Sequence, residues 1–311
     1  MRRAIGTLVV IGVMLVGAGP PTQVLAAGVI YACVKKDGAV RIVGPPGTCK
    51  QNETAMQWNS TGPPGPPGPA FPITCPPDSV LVGTTCIDKY EASVWQTIDA
   101  PTIAKIRDGT VTVADLGGAT QRGVASDDYG AGCPDTGNGC VDLYAVSIPG
   151  VAPSAFLTWF QAAAAARNSG KRLPTNQEWQ AAALGTPDPG VSVAGSQDCN
   201  TKNGASSGVD AVVPTGSRSS CVSDVGAFDM VGNLWEWVAD WVPLSTACGD
   251  TALFAGDFNC LAGASTTAGP GALLRGGDFV NGTVAGVFAV NGLGTPSNSH
   301  SNGDVGFRAA R

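Results

Sequence analysis

Short apolar runs separated by Gly, Asn, Ser and Asp make up most of the chain. Their length is typical of strands, and the runs show no regular alternation of helix and strand patterns. Two segments differ. TWFQAAAAARNSG from Thr158 and TNQEWQAAALG from Thr175 each begin with a capping box and end at a glycine. The pattern therefore predicts two α-helices within a loop-rich α+β fold.

The sequence pattern predicts that residues 27–60 form a small N-terminal head segment. The strand-like runs GVIYACV and AVRIVG lie on either side of the charged sequence KKDG, which is typical of a turn. We expect a hairpin here, closed by the two cysteines of the segment, Cys33 and Cys49.

Residues 1–26 have the pattern of a secretory signal peptide. Two arginines are followed by an apolar run from Leu8 to Val16, and then by the sequence VLA before Ala27. The apolar run is shorter than the roughly 20 residues that a membrane-spanning helix needs. We expect cleavage and a secreted, extracellular protein; an uncleaved membrane anchor is the alternative.

The segment 61–72 contains the triplets GPP, GPP and GPA, with glycine at every third position. This is the period of a collagen triple helix, in which three chains meet at a crowded axis. Three triplets are too few to be stable alone, so the segment is either a stiff polyproline linker or part of a homotrimer. In both cases it separates the head from a body, residues 73–311, that is plausible as one domain.

Composition and charge exclude one class of partner. Only 14% of the 311 residues are charged and 43% are hydrophobic, which is compatible with a sizeable core. The net charge is −6, and no basic cluster follows Arg2 and Arg3. A surface of this charge does not suit nucleic acid, and we expect no nucleic-acid partner.

The ten cysteines are an even number, and export favours disulfides. A zinc cluster would need paired CxxC spacing or histidines, and His300 is the only histidine in the chain. Sequence does not fix the connectivity, but pairing of neighbours would close small loops. We predict Cys33–Cys49, Cys75–Cys86, Cys133–Cys140, Cys199–Cys221 and Cys248–Cys260.

Several blocks of the body resemble the formylglycine-generating enzyme, or sulfatase-modifying factor, superfamily. They are GKRLPTNQEWQAAALG, GAFDMVGNLWEWVADW, LLRGGDF and DVGFRAAR, in the family's order and spacing, preceded by CIDKYEASV, which resembles the opening strand of that domain. The resemblance implies a C-type-lectin-like fold, with two helices packed on small twisted sheets.

The tryptophan-rich block contains a candidate calcium site. Glu236 lies between two tryptophans and would be costly to bury without a partner. In the family, the matching stretch binds calcium through carboxylate and backbone oxygens, ligands that suit this hard cation. The resemblance implies Asp229 and Glu236 as carboxylate ligands, and Gly232 and Leu234 as carbonyl ligands.

The same resemblance argues against catalysis. The family's oxidases bind copper through two cysteines between the motifs RGG and GFRC. Residues 278–304 contain no cysteine, and the last motif reads GFRA, with Ala309 at the cysteine position. Thiolate chemistry needs the thiol. Related iron-dependent sulfoxide synthases use three histidines, and this chain has one. We expect no copper, no iron and no enzyme of either kind.

The region of about 275–308 resembles the variable region of proteins diversified by diversity-generating retroelements, which use the same lectin-like fold. In those systems Asn codons in particular change at chosen positions, while framework codons are spared. We expect Arg275–Gly277 to open a strand, AGVFAV to be a buried strand and Gly306–Arg308 to close the last strand, with exposed loops between them. The predicted contact positions are Asp278, Phe279, Val280, Asn281, Thr283, Val284, Asn291, Leu293, Thr295, Asn298, His300, Asn302 and Asp304.

Within this set, Phe279, Leu293 and His300 are the predicted anchors, because variable binding surfaces combine a few rings with adaptable polar residues. The sequence thus favours a secreted, non-enzymatic protein that binds a protein or glycan ligand at a cell or phage surface. Two alternatives remain: a formylglycine-generating enzyme that works without the usual cysteines, and a fixed structural or adhesive lectin-like domain.

Overall fold

The computed structural model describes residues 29–45, 47–59, 73–130, 132–187, 198–201, 211–297 and 302–311. The chain divides into two compact units, Met1–Phe71 and Pro72–Arg311. The predicted signal peptide and the glycine triplets lie outside the described residues. Within the described ranges, no helix has the length and apolar character needed to cross a membrane.

The first unit contains a three-stranded antiparallel sheet in the order β2–β1–β3. Its strands are β1 (Val29–Lys35), β2 (Val40–Val43) and β3 (Glu53–Asn59). β1 and β2 form the hairpin that the sequence predicts, and β3 adds a strand on the other side of β1. A disulfide joins Cys33 in β1 to Cys49, just before β3.

The second unit has short strands and three α-helices connected by long loops. Its strands are β4 (Ser79–Val82), β5 (Thr85–Asp88), β6 (Ser93–Gln96), β7 (Thr120–Arg122), β8 (Leu143–Val146), β9 (Trp235–Pro243), β10 (Asn259–Cys260), β11 (Pro270–Arg275), β12 (Val290–Asn291) and β13 (Val305–Phe307). The helices are α1 (Ala100–Asp108), α2 (Trp159–Asn168) and α3 (Asn176–Ala182). This confirms the loop-rich α+β class.

The largest sheet of this unit has the order β10–β12–β11–β9–β13, with β13 parallel to its neighbour β9. A hairpin, β4–β5, and a second sheet, β7–β6–β8, complete the strands. Side chains alternate across β9: Trp235 and Trp237 belong to a buried cluster with the alanines of α2, and Val238 packs in another with Trp179 of α3. The predicted helices therefore belong to clusters on opposite faces of one strand.

Both predicted helices begin where the sequence places them. The Thr158 hydroxyl accepts from the backbone N–H of Gln161, whose side chain accepts from the N–H of Thr158; Thr175 and Glu178 do the same for α3. The sequence analysis missed α1, although Asp99 caps its first turn and Gly109 ends it at a φ of 69°.

All five predicted disulfides are confirmed, and they use all ten cysteines. Each bond joins one cysteine to the next cysteine along the chain, across 7 to 22 residues. Four of the bonds therefore close loops of the second unit, which has little regular structure of its own.

Two predictions for the C-terminal region are wrong. The AGVFAV segment is a turn rather than a buried strand: Phe288 is 46% exposed, and only Val290 enters β12. The RGG motif ends β11 instead of opening a strand, because Gly276 and Gly277 have φ angles of 91° and 82° and turn the chain away. A side chain at Gly277 would also place its Cβ 2.7 Å from that of Ala285.

Candidate functional site

A small pocket lies at one end of the large sheet, where the loops after β12 and before β13 meet it. The cavity has a volume of about 160 Å³. Trp235, Trp237, Leu274 and Val305 provide apolar walls from three strands. The polar and loop residues around these walls are Asn291, Leu293, Gly294, Thr295, Asn302 and Asp304.

The apolar walls are held rigidly. The Trp237 indole N–H donates to the Leu157 carbonyl at 3.3 Å, and the Trp235 ring packs edge-on against Phe258, with the centroids 5.4 Å apart. A Cβ at Gly294 would lie 2.8 Å both from the Trp237 ring and from the Ala272 carbonyl oxygen. Only glycine therefore lets this loop approach the tryptophan so closely.

The structure brings together part of the predicted contact set. Asn291, Leu293, Thr295, Asn302 and Asp304 line the pocket. A second group lies outside its lining, on the turn after β11 and the 3-10 helix Gly282–Val284, where every side chain is at least partly exposed. That group is Phe279, Val280, Asn281, Thr283 and Val284. Two further predicted positions, Asn298 and His300, lie outside the described residues.

The prediction that Asp278 contacts a ligand is wrong, because its exposure is only 2%. One carboxylate oxygen accepts from the Val280 N–H at 2.8 Å, and its own backbone N–H donates to the Asn281 side chain at 3.1 Å. Burial, reinforced by the neighbouring Asp304 carboxylate, raises the pKa of Asp278 to about 7. Asp278 therefore stabilises the loop through its bonds to Val280 and Asn281. Asp304 is the carboxylate that lines the pocket.

We expect the chain to melt at a higher temperature at about pH 5 than at about pH 7.5. Burial raises the pKa of Asp88 and of Asp229 to about 6 and that of Asp278 to about 7. A carboxyl group with a raised pKa binds more protons in the folded state, so stability falls as the pH rises through this window. The lowered pKa values of Glu178 and Asp115, about 2, act only in stronger acid.

The matched variants for this experiment are Asp278→Asn and Asp108→Asn, the second changing an exposed carboxylate at the end of α1. The first should flatten the pH dependence of the melting temperature, and the second should leave it unchanged. A melting temperature that rises from pH 5 to pH 7.5 in the unmodified chain would show that the buried carboxyl groups do not control stability in this range.

Glu236 of β9 forms a buried ion pair with Arg308. The Arg308 guanidinium donates through Nη2 to Oε1 at 2.6 Å and through Nε to Oε2 at 2.7 Å. The Trp179 indole N–H donates to Oε2 at 2.7 Å. Glu236 and Arg308 are both almost fully buried, so the pair satisfies the sequence-based expectation that Glu236 has a cation or donor partner.

Two further buried acids lie around this pair. Glu91 accepts from the side-chain amide of Asn233 at 2.5 Å and from the Leu234 N–H at 3.0 Å. Burial, with the charges of Asp229 and Glu236 next, raises the pKa of Glu91 well above its usual value. Asp229 accepts from the Gly216 N–H at 2.7 Å. Its other oxygen has no hydrogen-bond partner in the described part of the chain.

This arrangement does not fit the predicted calcium ligands in full. Asp229 has an oxygen to offer, but both oxygens of Glu236 already accept bonds from Arg308 and Trp179. The guanidinium supplies the positive charge that a calcium ion would bring. Gly232 has a φ of 75°, and a Cβ there would lie 2.4 Å from the Asn200 carbonyl oxygen. The backbone conformation and this close approach therefore explain the glycine at this position without a metal. Calcium could bind through the four predicted ligands only if Glu236 released Arg308.

We expect the melting temperature to be the same in excess calcium and in excess EDTA, because Arg308 already neutralises Glu236. An ion bound only by the folded state would raise the melting temperature with its concentration. Differential scanning calorimetry in the two buffers measures this, with magnesium as the control for ionic strength. A higher melting temperature in calcium alone would mean that Glu236 exchanges its arginine for the metal.

The cysteine positions bear on the chemistry that this site can perform. All ten cysteines are bonded in pairs, and Ala309 is fully buried directly after Arg308. A disulfide sulfur is neither a thiolate nucleophile nor a thiolate metal ligand. In its oxidised form the chain therefore presents no cysteine thiolate to a substrate or to copper.

Residues 86–311 match the family described as the sulfatase-modifying factor enzyme 1-like domain. The chain belongs to this family, which confirms the resemblance noted in the sequence. It is 33% identical over 101 residues to a formylglycine-generating enzyme of Thermomonospora curvata, covering 29% of this chain and 33% of that one. It is 34% identical over 137 residues to a hercynine oxygenase of Mycolicibacterium smegmatis, covering 42% and 31%. The chain spans about a third of the length of these two curated relatives.

Solved structures that are similar to this chain include a Major Tropism Determinant P3c variant. It is 21% identical, the match covers 92% of this chain and 72% of that chain, and the TM-score is 0.40. The structure titled CarF is 16% identical, with coverage of 73% and 85% and a TM-score of 0.40.

Sequence reasoning missed the pocket walls, because it did not single out Trp235 and Trp237 as candidate site residues. They are core residues, almost fully buried, and they also line the cavity. It also missed Phe288, an exposed ring within a segment expected to be buried. The usable signal for Phe288 was the glycine and small residues on both sides, which are typical of a turn.

Proposed function

We propose that this chain is a secreted, non-enzymatic binding protein whose lectin-like body displays a diversified surface formed by residues 278–304. The observation that carries the proposal is the division between exposed and buried positions. Of the eleven predicted contact positions within the described residues, all except Asp278 are at least partly exposed. The framework residues Arg275–Gly277 and Val305–Arg308 are all buried.

The framework is fixed by contacts that tolerate little change. The Arg275 guanidinium lies over the Trp179 ring, 4.9 Å from its centroid, and donates to the Val287 carbonyl at 3.1 Å. Burial lowers its pKa to about 10, so it remains charged at neutral pH. Arg308 is held by Glu236. Substitutions at the exposed contact positions between these anchors do not touch these contacts, which is what a variable binding surface requires.

The pocket favours a ligand group with hydrogen-bond donors and an apolar body. Asp304 supplies a carboxylate, Asn291 and Asn302 supply polar side chains, and the tryptophan walls supply apolar surface. A cavity of about 160 Å³ holds one side chain or part of one sugar ring, so most of the ligand would contact the exposed loops around it. Both a protein and a glycan ligand satisfy this description.

The test of diversification is deep sequencing of codons 267–311 in a population grown from one clone or sampled from one habitat. We expect substitutions at the predicted contact positions other than the buried Asp278, while the codons of Arg275–Gly277 and Val305–Arg308 stay unchanged. Codons 158–202 in the same genomes are the control segment and should be uniform. Uniform codons 278–304, or substitutions spread evenly over both segments, would remove the diversified surface and leave a fixed lectin-like domain.

Catalysis is the second candidate, because the two curated relatives described above are named as enzymes. A peptide cysteine converted to formylglycine changes mass, so mass spectrometry of a sulfatase-type peptide incubated with the chain and copper tests it directly. We expect an unchanged peptide, because all ten cysteines of the chain are in disulfides. Conversion by a folded preparation would establish an enzyme that does not use the usual thiols.

A further inference from the structure

The sheet of the first unit has one face made of apolar side chains. Directly paired residues in an antiparallel sheet point to the same side. Ala32 of β1 pairs with Ile42 of β2 and Met56 of β3, and Val34 pairs with Val40. Ile30 pairs with Trp58. The apolar face is therefore formed by Ile30, Ala32, Val34, Val40, Ile42, Met56 and Trp58, with Thr54 at its edge.

Most of this face is open to solvent. Ile42 is 62% exposed, Val40 59%, Met56 54% and Trp58 42%. The opposite side of the sheet holds the charged side chains, including Lys35 and the ion pair of Arg41 with Glu53 at 2.6 Å. The charges of the sheet thus all lie on one side, together with Tyr31, Val43 and Ala55, while the exposed side chains of Val40, Ile42, Met56 and Trp58 lie on the other side. An exposed apolar face of this kind is typical of a sheet that packs against a partner.

The unit is too small to stabilise itself by burial. Among the described residues of this sheet, only Ala32 and Cys33 are fully buried hydrophobic residues. A sheet of this size needs packing against another element, or a disulfide, metal or oligomer, to be stable in water. The Cys33–Cys49 bond contributes to stability, but it does not cover the apolar face.

The sequence that follows the sheet identifies the partner. β3 ends at Asn59, and the first triplet glycine is Gly62. A single-chain polyproline spacer has no steric need for glycine at every third position, whereas three chains around a common axis do. Three triplets cannot hold three chains together alone, so an adjacent unit must do so. The apolar face lies immediately before them in the chain.

We propose that the apolar face of the head sheet is a self-association surface, and that three copies of this chain pack their head sheets together and bring the glycine triplets into register. The arrangement buries Val40, Ile42, Met56 and Trp58 of each copy and leaves the charged sides in solvent. This inference is independent of the function proposed for the pocket.

The first experiment measures the molar mass of the full chain, exported from an expression host, by multi-angle light scattering. We expect about three times the mass of one chain. The variant Ile42→Thr/Met56→Thr/Trp58→Thr keeps residues that favour strands and should elute as a monomer. The matched control, Lys35→Thr/Gln57→Thr, changes two side chains of the charged side and should remain a trimer.

The fold of the variants is checked by peptide mapping of the Cys33–Cys49 bond without reduction. A second set of variants tests contact directly. Ile42→Cys chains should be joined by a short bismaleimide reagent, and Gln57→Cys chains should not. A monomeric or dimeric unmodified chain, a trimer that survives the triple substitution, or equal joining of both cysteine variants would each overturn the proposal.

Discussion

Replacement of Arg308 with methionine is expected to lower the free energy of unfolding by about 3–5 kcal/mol, the usual cost of removing one partner from a buried ion pair. The side chain is fully buried, and its guanidinium donates to both oxygens of Glu236 and to the Phe228 carbonyl. Without it, Glu236 and Glu91 lose the buried cation that lies beside them. Urea denaturation followed by tryptophan fluorescence measures the loss.

The matched control is Arg172→Met. Arg172 also forms a bidentate ion pair, with Glu178, but its side chain is 49% exposed. An exposed pair contributes about 0–1 kcal/mol, so this variant should unfold close to the unmodified chain. Similar small losses in both variants would show that water reaches Glu236 and that the core below β9 is looser than the structure describes.

Replacement of Lys171 with methionine should cost a similar amount, about 3–5 kcal/mol near neutral pH. The Lys171 ammonium is fully buried and lies 2.7 Å from an oxygen of Asp78 and 2.7 Å from one of Asp88. Burial already raises the pKa of Asp88 to about 6, and its other oxygen has no hydrogen-bond partner among the described residues. Removal of the lysine leaves this carboxylate buried without its cation.

The loss should depend on pH in a way that identifies its cause. At about pH 5, Asp88 of the variant can bind a proton, which removes the uncompensated charge and part of the cost. The control is Lys105→Met, where the lysine is 50% exposed and paired with Asp115, and its small loss should not change over this range. A loss in the Lys171 variant that is equal at both pH values would point to lost packing instead of charge.

Local sequence signals predicted the parts of the fold that local contacts determine. The capping boxes at Thr158 and Thr175 fix the starts of α2 and α3 through bonds three residues apart. Each disulfide joins neighbouring cysteines, so the pairing that closes the smallest loops was also the right one. The fold of the rest of the body was predicted from the family resemblance. Family motifs carry information about contacts between distant segments, which the hydrophobic pattern of one sequence lacks.

The pocket could be predicted only in part, because it depends on contacts between distant segments. Leu293, Asn302 and Asp304 were singled out, but their walls come from Trp235 and Trp237, about sixty residues earlier in the chain. Asp278 has the same residue type as Asp304 and lies in an equally polar segment. Its burial follows from the turn that Gly276 and Gly277 impose, which the sequence analysis took for the start of a strand.

The pairing of every cysteine with the next one has a consequence for how the chain matures. If the chain is exported from its amino terminus and oxidised as it emerges, each pair can form before the next cysteine along the chain has emerged. The loops to be closed span only 7 to 22 residues, for which the entropy cost of closure is low. Native oxidation then needs no reshuffling among the five bonds. Each loop can also change in length or sequence between relatives without disturbing the pairing of the other four.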